Sequence, residues 1–272
     1  MDFARMIPDG FQARRAGRRY IVALPQYLEP LAAAELEALP AAAHGRGTIC
    51  RLATPDGNLL IRKCHRGGLL RLINRDRYLT PRRPIDELRL CREAAARGVP
   101  VCSAAGAIVE RRAPFWLCWL ATEEIEEAID VGEYLRSLPA APTPEAAAEK
   151  RRIIDAAGRA ICTMHDAGLY HADLQAKNIL VRRGSSIELF FIDLDKSRIC
   201  PAGLAEPMRA DNLRRLNRSV MKTQPNAIDD LERQRFLAAY RCGNALFGDT
   251  AAFITSCKRH AARHSLWWRL FR

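Results

Sequence analysis

Two polar clusters separated by a pair of short apolar runs constrain this chain more than any other feature. Residues 170–181 read Tyr-His-Ala-Asp-Leu-Gln-Ala-Lys-Asn-Ile-Leu-Val, and residues 190–196 read Phe-Phe-Ile-Asp-Leu-Asp-Lys. Between them, Arg182-Arg-Gly-Ser-Ser is rich in turn formers, so the flanking apolar runs are expected to pair as a hairpin. Such a hairpin would place Asp193 at the end of the strand Leu189–Ile192, downstream of a loop carrying Asp173 and Asn178 in the pattern H-x-D-x-x-x-x-N. Asp and Asn also favour turns and caps for purely local reasons. Either cluster alone is compatible with that reading; both in this order, with a hairpin between them, point to chemistry.

The chemistry this spacing fits is phosphoryl transfer from ATP, which needs few protein groups: a carboxylate for the acceptor hydroxyl, oxygen ligands for Mg²⁺, and positive charge around the phosphates. Asp173 is the expected base or hydroxyl-orienting group. Asn178 and Asp193 are the expected Mg²⁺ ligands, hard oxygen donors that leave positions for water and phosphate. His171 is expected to brace the loop by hydrogen bonding. Asp195 is either a further acidic ligand or a helix or loop cap, and Lys177 is a candidate phosphate contact.

The rest of the chain fits an α+β, bilobal, protein-kinase-like fold. Residues 1–40 form an N-terminal extension with a helix expected over Glu29–Leu39. Residues 41–122 form a small β-rich lobe. In it, Thr48–Ala53 and Asn58–Cys64 flank a turn, Thr54-Pro-Asp-Gly. A helix opened by Pro84 carries Ile85, Leu88, Cys91 and Ala95 on one face and closes at Gly98. Phe115–Thr122 is a continuous apolar run suited to a central strand. Residues 123–272 form a larger helical lobe, with one long helix from Pro144 to Ala167 ended by Gly168. The basic aromatic tail, Trp267, Trp268, Leu270 and Phe271 among arginines, suits an interfacial anchor or a final packed helix.

Nucleotide contacts are expected from the first lobe. Gly45, Arg46 and Gly47 precede a strand and could bring backbone N–H groups to phosphate. Cys50 stands where a third glycine of the protein-kinase loop would be. The strand Leu59–Arg62 ends on Arg62, the expected phosphate-binding cation, with Lys63 on the opposite face. Glu87 on the following helix is its expected acidic partner.

Composition narrows the setting. The formal net charge of +12 favours anionic partners. No apolar run reaches bilayer length, and Met1–Gly10 carries Asp2 and Asp9 without an apolar core, so a cytoplasmic chain without a secretory signal is expected. The nine cysteines form no C-x-x-C pair and read as small core residues in a reducing compartment. Apart from charge, nothing indicates nucleic-acid binding: there is no helix-turn-helix signature and no aromatic stacking platform.

Several stretches resemble the lipopolysaccharide core kinases, most closely the 3-deoxy-D-manno-octulosonic acid (Kdo) kinases. They are Gly45-Arg-Gly-Thr, Ile61-Arg-Lys-Cys-His-Arg-Gly-Gly-Leu, Asn74-Arg-Asp-Arg-Tyr-Leu, Glu87-Leu-Arg-Leu, His171-Ala-Asp-Leu…Asn178-Ile-Leu and Phe191-Ile-Asp-Leu-Asp-Lys-Ser-Arg. The resemblance makes Arg62 the family's usual cation and carries Asp173 over as the active-site residue; Gln175 stands where family loops more often have Asn. It implies transfer of the ATP γ-phosphate to a Kdo hydroxyl on a lipid A precursor, at the cytoplasmic face of an inner membrane. The cations from Arg62 to Arg83 would suit that anionic acceptor and an anionic membrane surface. The same fold would also serve a heptose kinase, an aminoglycoside-type kinase or an atypical protein kinase. A pseudokinase binding module would have lost Asp173, Asn178 or Asp193, and all three are present.

Overall fold

The computed structural model describes residues 6–44, 48–65, 76–139, 143–241 and 251–259. The chain divides into two compact units, Met1–Glu93 with Cys102–Glu124, and Ala94–Val101 with Ile125–Arg272. The first is β-rich and the second mainly helical, an α+β bilobal arrangement.

The first unit is built on β1 (Gln12–Ala16), β2 (Arg19–Ala23), β3 (Ala41–His44), β4 (Thr48–Thr54), β5 (Gly57–Lys63), β6 (Ala104–Arg112) and β7 (Phe115–Glu123). These form one seven-stranded sheet in the order β1-β2-β6-β7-β5-β4-β3. The apolar run 115–122 is therefore the middle strand. Residues read as an extension contribute two strands to this same sheet and its covering helix. That helix, α1 (Pro25–Ala33), lies earlier than the expected 29–39. Pro25 presets the first turn, and the chain leaves helical geometry at Ala34, whose ψ of 128° is extended.

Strand alternation decides what each face does. Leu59 and Ile61 of β5 join Ile21, Tyr27, Leu31 and Ile108 in a buried core under α1, each such side chain contributing about 1.5–3 kcal/mol. Arg62, one residue on, leaves by the other face. There α2 (Arg82–Ala96) offers an apolar stripe of Ile85, Leu88, Cys91 and Ala94. Ala94 takes the place expected of Ala95, which is exposed: the stripe keeps to a spacing of three at its last step.

The second unit begins with β8 (Ala128–Asp130) and α3 (Val131–Ser137), followed by α4 (Pro144–Asp166). Thr143 Oγ1 caps α4 by accepting from Ala146 N–H, and Gly168, at φ 81°, ends its C-terminal turn. Next come β9 (Leu169–Tyr170), a 3-10 turn (Ala176–Asn178), β10 (Ile179–Arg182), β11 (Glu188–Phe191) and β12 (Arg198–Ile199). The expected hairpin is β10–β11, with Arg182 opposite Glu188. Two helices close the unit, α5 (Glu206–Thr223) and α6 (Asp230–Arg241), with a further helical stretch at 251–259. Leu231 is exposed in the first turn of α6, away from the buried Leu237 and Tyr240. The tail 260–272 lies outside the described residues. Among the described residues no helix is long and apolar enough to cross a membrane.

Candidate active site

The loop 171–178 is organised around a buried histidine ring. His171 is fully buried, and its Nε2 lies 3.1 Å from the Ile192 carbonyl while Nδ1 accepts the Asp173 backbone N–H at 3.1 Å. A carbonyl can only accept, so the proton sits on Nε2 and the ring is neutral. Burial holds its pKa below the ordinary histidine value, in agreement. With both nitrogens engaged, the ring is a brace and not a proton carrier.

That brace joins the two acidic motifs. Ile192 receives His171 on its carbonyl and donates its own N–H to the Asn178 carbonyl at 3.1 Å. Asp193 follows directly, with a left-handed φ of 60°, a conformation that Asp tolerates better than most residues and that the flanking hydrogen bonds impose. Asn178 is buried, and its Nδ2 donates to the Asp173 carbonyl at 2.8 Å and more loosely to Asp173 Oδ2 at 3.4 Å. Turning the nitrogen inward leaves Oδ1 as the side chain's donor to a cation. Asp173 is half-buried, and its Oδ1 accepts from Gln175 Nε2. The structure thus draws Asp173, Asn178 and Asp193 into one hydrogen-bonded neighbourhood.

Further residues hold this neighbourhood, and the sequence reading missed them. Asn212 of α5 accepts from His171 N–H with Oδ1 at 3.2 Å and donates from Nδ2 to the His171 carbonyl at 2.9 Å. Behind it, His165 Nε2 lies 3.3 Å from the same Oδ1, and His165 Nδ1 lies 2.8 Å from Tyr240 Oη. Burial pushes His165 down to about 3. Ser219 Oγ accepts from Ala176 N–H, and Ser197 Oγ accepts from Ala172 N–H. Asn212, Leu216 and Ser219 recur at helical spacing on α5, a signal in the sequence, but nothing local says that this stripe faces residues 171–176.

Of the other expected site residues, Lys177 is exposed and Asp195 half-buried. The chain after Asp195 turns into β12 without starting a helix, so Asp195 caps none. In the first unit, Arg62 Nη2 pairs with Glu87 Oε1 at 2.9 Å, the carboxylate side chain being 3% exposed. Lys63 bonds Asp76 instead, at 2.5 Å, as its opposite facing requires. Gly45, Arg46 and Gly47 lie outside the described residues. No group of three or more His, Cys, Asp or Glu that could hold a metal occurs among the described residues. Any metal held here would rest on one carboxylate and one carboxamide. That donor set fits Mg²⁺, which keeps most of its shell for water and phosphate.

The sequence pattern of the lipopolysaccharide kinase (Kdo/WaaP) family matches residues 34–240. A 3-deoxy-D-manno-octulosonic acid kinase of Mannheimia succiniciproducens is 34% identical over 189 residues, covering 66% of this chain and 74% of the relative. One from Xylella fastidiosa is 30% identical over 209 residues, covering 74% and 78%. Among solved structures, WaaP in complex with acyl carrier protein superposes with a TM-score of 0.59 over 84% of this chain and 90% of that one, at 20% identity, a likeness of fold.

Proposed function

The chain belongs to the lipopolysaccharide kinase (Kdo/WaaP) family, and on that premise we propose that it moves the ATP γ-phosphate to a Kdo hydroxyl on a lipid A precursor. The coarser activity, phosphotransfer to an alcohol acceptor, follows from family and fold together. One observation supports phosphoryl transfer at this loop: Asn178 is tied to the Asp173 carbonyl and to Ile192 N–H, which brings the segment that carries Asp193 beside the loop bearing Asp173; the Kdo acceptor rests on the likeness to Kdo kinases.

In this reading Asp173 orients the acceptor hydroxyl and takes its proton as the oxygen attacks the γ-phosphorus; the bond to the ADP oxygen breaks. Mg²⁺, held by Asn178 Oδ1 and Asp193, would screen the phosphate charge. By the family likeness, Arg62, paired with Glu87, is assigned to phosphate oxygens, and Gly45, Arg46, Gly47 and Lys177 are the further candidate phosphate contacts. The arginine's planar fork suits two oxygens at once. The basic charge favours an anionic acceptor and an anionic bilayer surface, hence a peripheral position on the cytoplasmic face of an inner membrane.

The test is an acceptor screen. Purified protein with Mg-ATP is offered Kdo-lipid A, a heptose-bearing acceptor, an aminoglycoside and a peptide, and products are weighed by mass spectrometry. A phosphate gained on Kdo-lipid A supports the reading. A gain only on another acceptor removes the Kdo assignment and keeps the phosphotransferase.

A further inference from the structure

The second acidic motif ends in Ser197-Arg198, and nothing in the phosphoryl-transfer reading uses the arginine. Arg198 is nonetheless fixed beside the loop 171–178 on two sides. β12 pairs with β9 so that Arg198 stands opposite Tyr170, and the preceding Ser197 Oγ holds Ala172 N–H at 3.0 Å. The guanidinium carbon lies 4.6 Å from the centroid of the Tyr170 ring. The residue is exposed, and among the described residues no carboxylate pairs with it.

The surroundings of Tyr170 sharpen the point. Its hydroxyl donates to Asp211 Oδ2 at 2.7 Å. Arg215 Nη2 lies 3.2 Å from the same carboxylate oxygen and 3.4 Å from the phenol oxygen. Asp211 is thus engaged by Arg215 and Tyr170, and its carboxylate is not paired with Arg198. A guanidinium held over an aromatic ring by cation–π attraction keeps N–H groups for an oxyanion.

We propose that Arg198, held over the Tyr170 ring whose hydroxyl is fixed by Asp211 and Arg215, anchors an anionic group of the acceptor, the oxygens of a carboxylate or a phosphate, and so determines which sugars are phosphorylated. The proposal rests on the Kdo-bearing acceptor above, since a sugar acid presents a carboxylate close to its hydroxyls and its lipid presents phosphates further away. A neutral sugar would leave the arginine without its partner, and discrimination follows from that loss.

The experiment crosses the residue with the ligand. Wild type and Arg198→Ala are each assayed on Kdo-lipid A, on its carboxyl methyl ester and on the acceptor with its lipid phosphates removed. Wild type is expected to discriminate against one modified acceptor by roughly ten- to a hundredfold in kcat/KM, the worth of a hydrogen bond to a charged group. Arg198→Ala is expected to lose that discrimination through the acceptor KM, and Arg198→Lys to recover part of it. Loss of discrimination against the ester assigns the carboxylate; loss against the dephosphorylated lipid assigns the phosphate. Equal use of all three acceptors by wild type, or unchanged discrimination by the variants, overturns the anchor and leaves the acceptor assignment intact. No transfer by wild type to any of the three overturns the acceptor assignment and the anchor with it. If Arg198→Ala does not fold, the same ratios from Arg198→Lys decide.

Discussion

Asn212 grips His171 by its main chain: one carboxamide takes the histidine's N–H at 3.2 Å and serves its carbonyl at 2.9 Å. The histidine ring is thereby left to connect Asp173 to Ile192. Replacing Asn212 with Ala strands the His171 N–H and carbonyl in a dry interior. At about 1–3 kcal/mol for each unpaired buried group, the variant is expected to lose about 3 kcal/mol or more by urea unfolding. Its kcat should also fall, because Asp173 and Asp193 share the brace. A variant with wild-type stability and turnover would show that the clamp holds nothing.

Asp173→Asn keeps the side chain's size and should keep the fold. If Asp173 handles the hydroxyl proton, kcat is expected to fall by roughly 10²–10⁴. Melting and single-turnover measurements separate the two effects, and turnover near wild type would mean the base is misassigned.

Arg62→Ala is expected to abolish stabilisation by Mg-ATP. The guanidinium is partly exposed while its Glu87 partner is buried, so the substitution also costs the free protein about 2 kcal/mol. Thermal melts with and without nucleotide distinguish these. A lysine should restore less than half of the nucleotide-induced shift, because it supplies a point charge in place of a fork. Equal shifts in wild type and Arg62→Ala would remove the arginine from the nucleotide site.

His165 gives the protein an acid-sensitive interior. Its pKa is held near 3 by burial, with Arg209 and His171 also opposing its charge and Asn212 and Asp166 favouring it. In the unfolded chain it would titrate near 6.5. A depressed histidine binds its proton in the unfolded state first, so its contribution is complete above pH 6.5 and lost as pH falls towards 3. The loss is about 1.4 kcal/mol per pH unit, or about 2 kcal/mol between pH 7 and pH 5. Urea midpoints at those two pH values should differ accordingly, and the His165 ring resonances should not titrate above pH 5. An imidazole that titrates near 6.5 in the folded protein would contradict this.

Gly158 lies where α4 and α6 come together. A Cβ there would stand 2.6 Å from the Phe236 carbonyl oxygen and 2.8 Å from Ala239 Cβ. In an exposed helix, Ala in place of Gly would stabilise by about 1 kcal/mol. Here overpacking of about 1–3 kcal/mol opposes that gain, against backbone that cannot swing aside, so Gly158→Ala is expected to lower the melting temperature. A rise would mean the helices separate freely.

The amino-acid sequence by itself determined the local events. Spacing and turn chemistry set the hairpin that ends at Asp193, the α4 boundaries at Pro144 and Gly168, and the alternation that sends Leu59 and Ile61 to the core and Arg62 to α2. These depend on neighbours a few residues apart, whose geometry the backbone dictates. In α1 the boundary went against propensity: residues 34–39 are good helix formers, yet the helix runs from Pro25 to Ala33. What only the tertiary structure decided is which distant groups meet the loop 171–178: Asn212 on His171, Ser219 on Ala176, Ser197 on Ala172. Asn and Ser are common on helix surfaces and in turns, and their types carry no address. Each becomes part of the site only because packing of the apolar faces buries the loop's polar backbone beside them, and a buried N–H or carbonyl must find a partner.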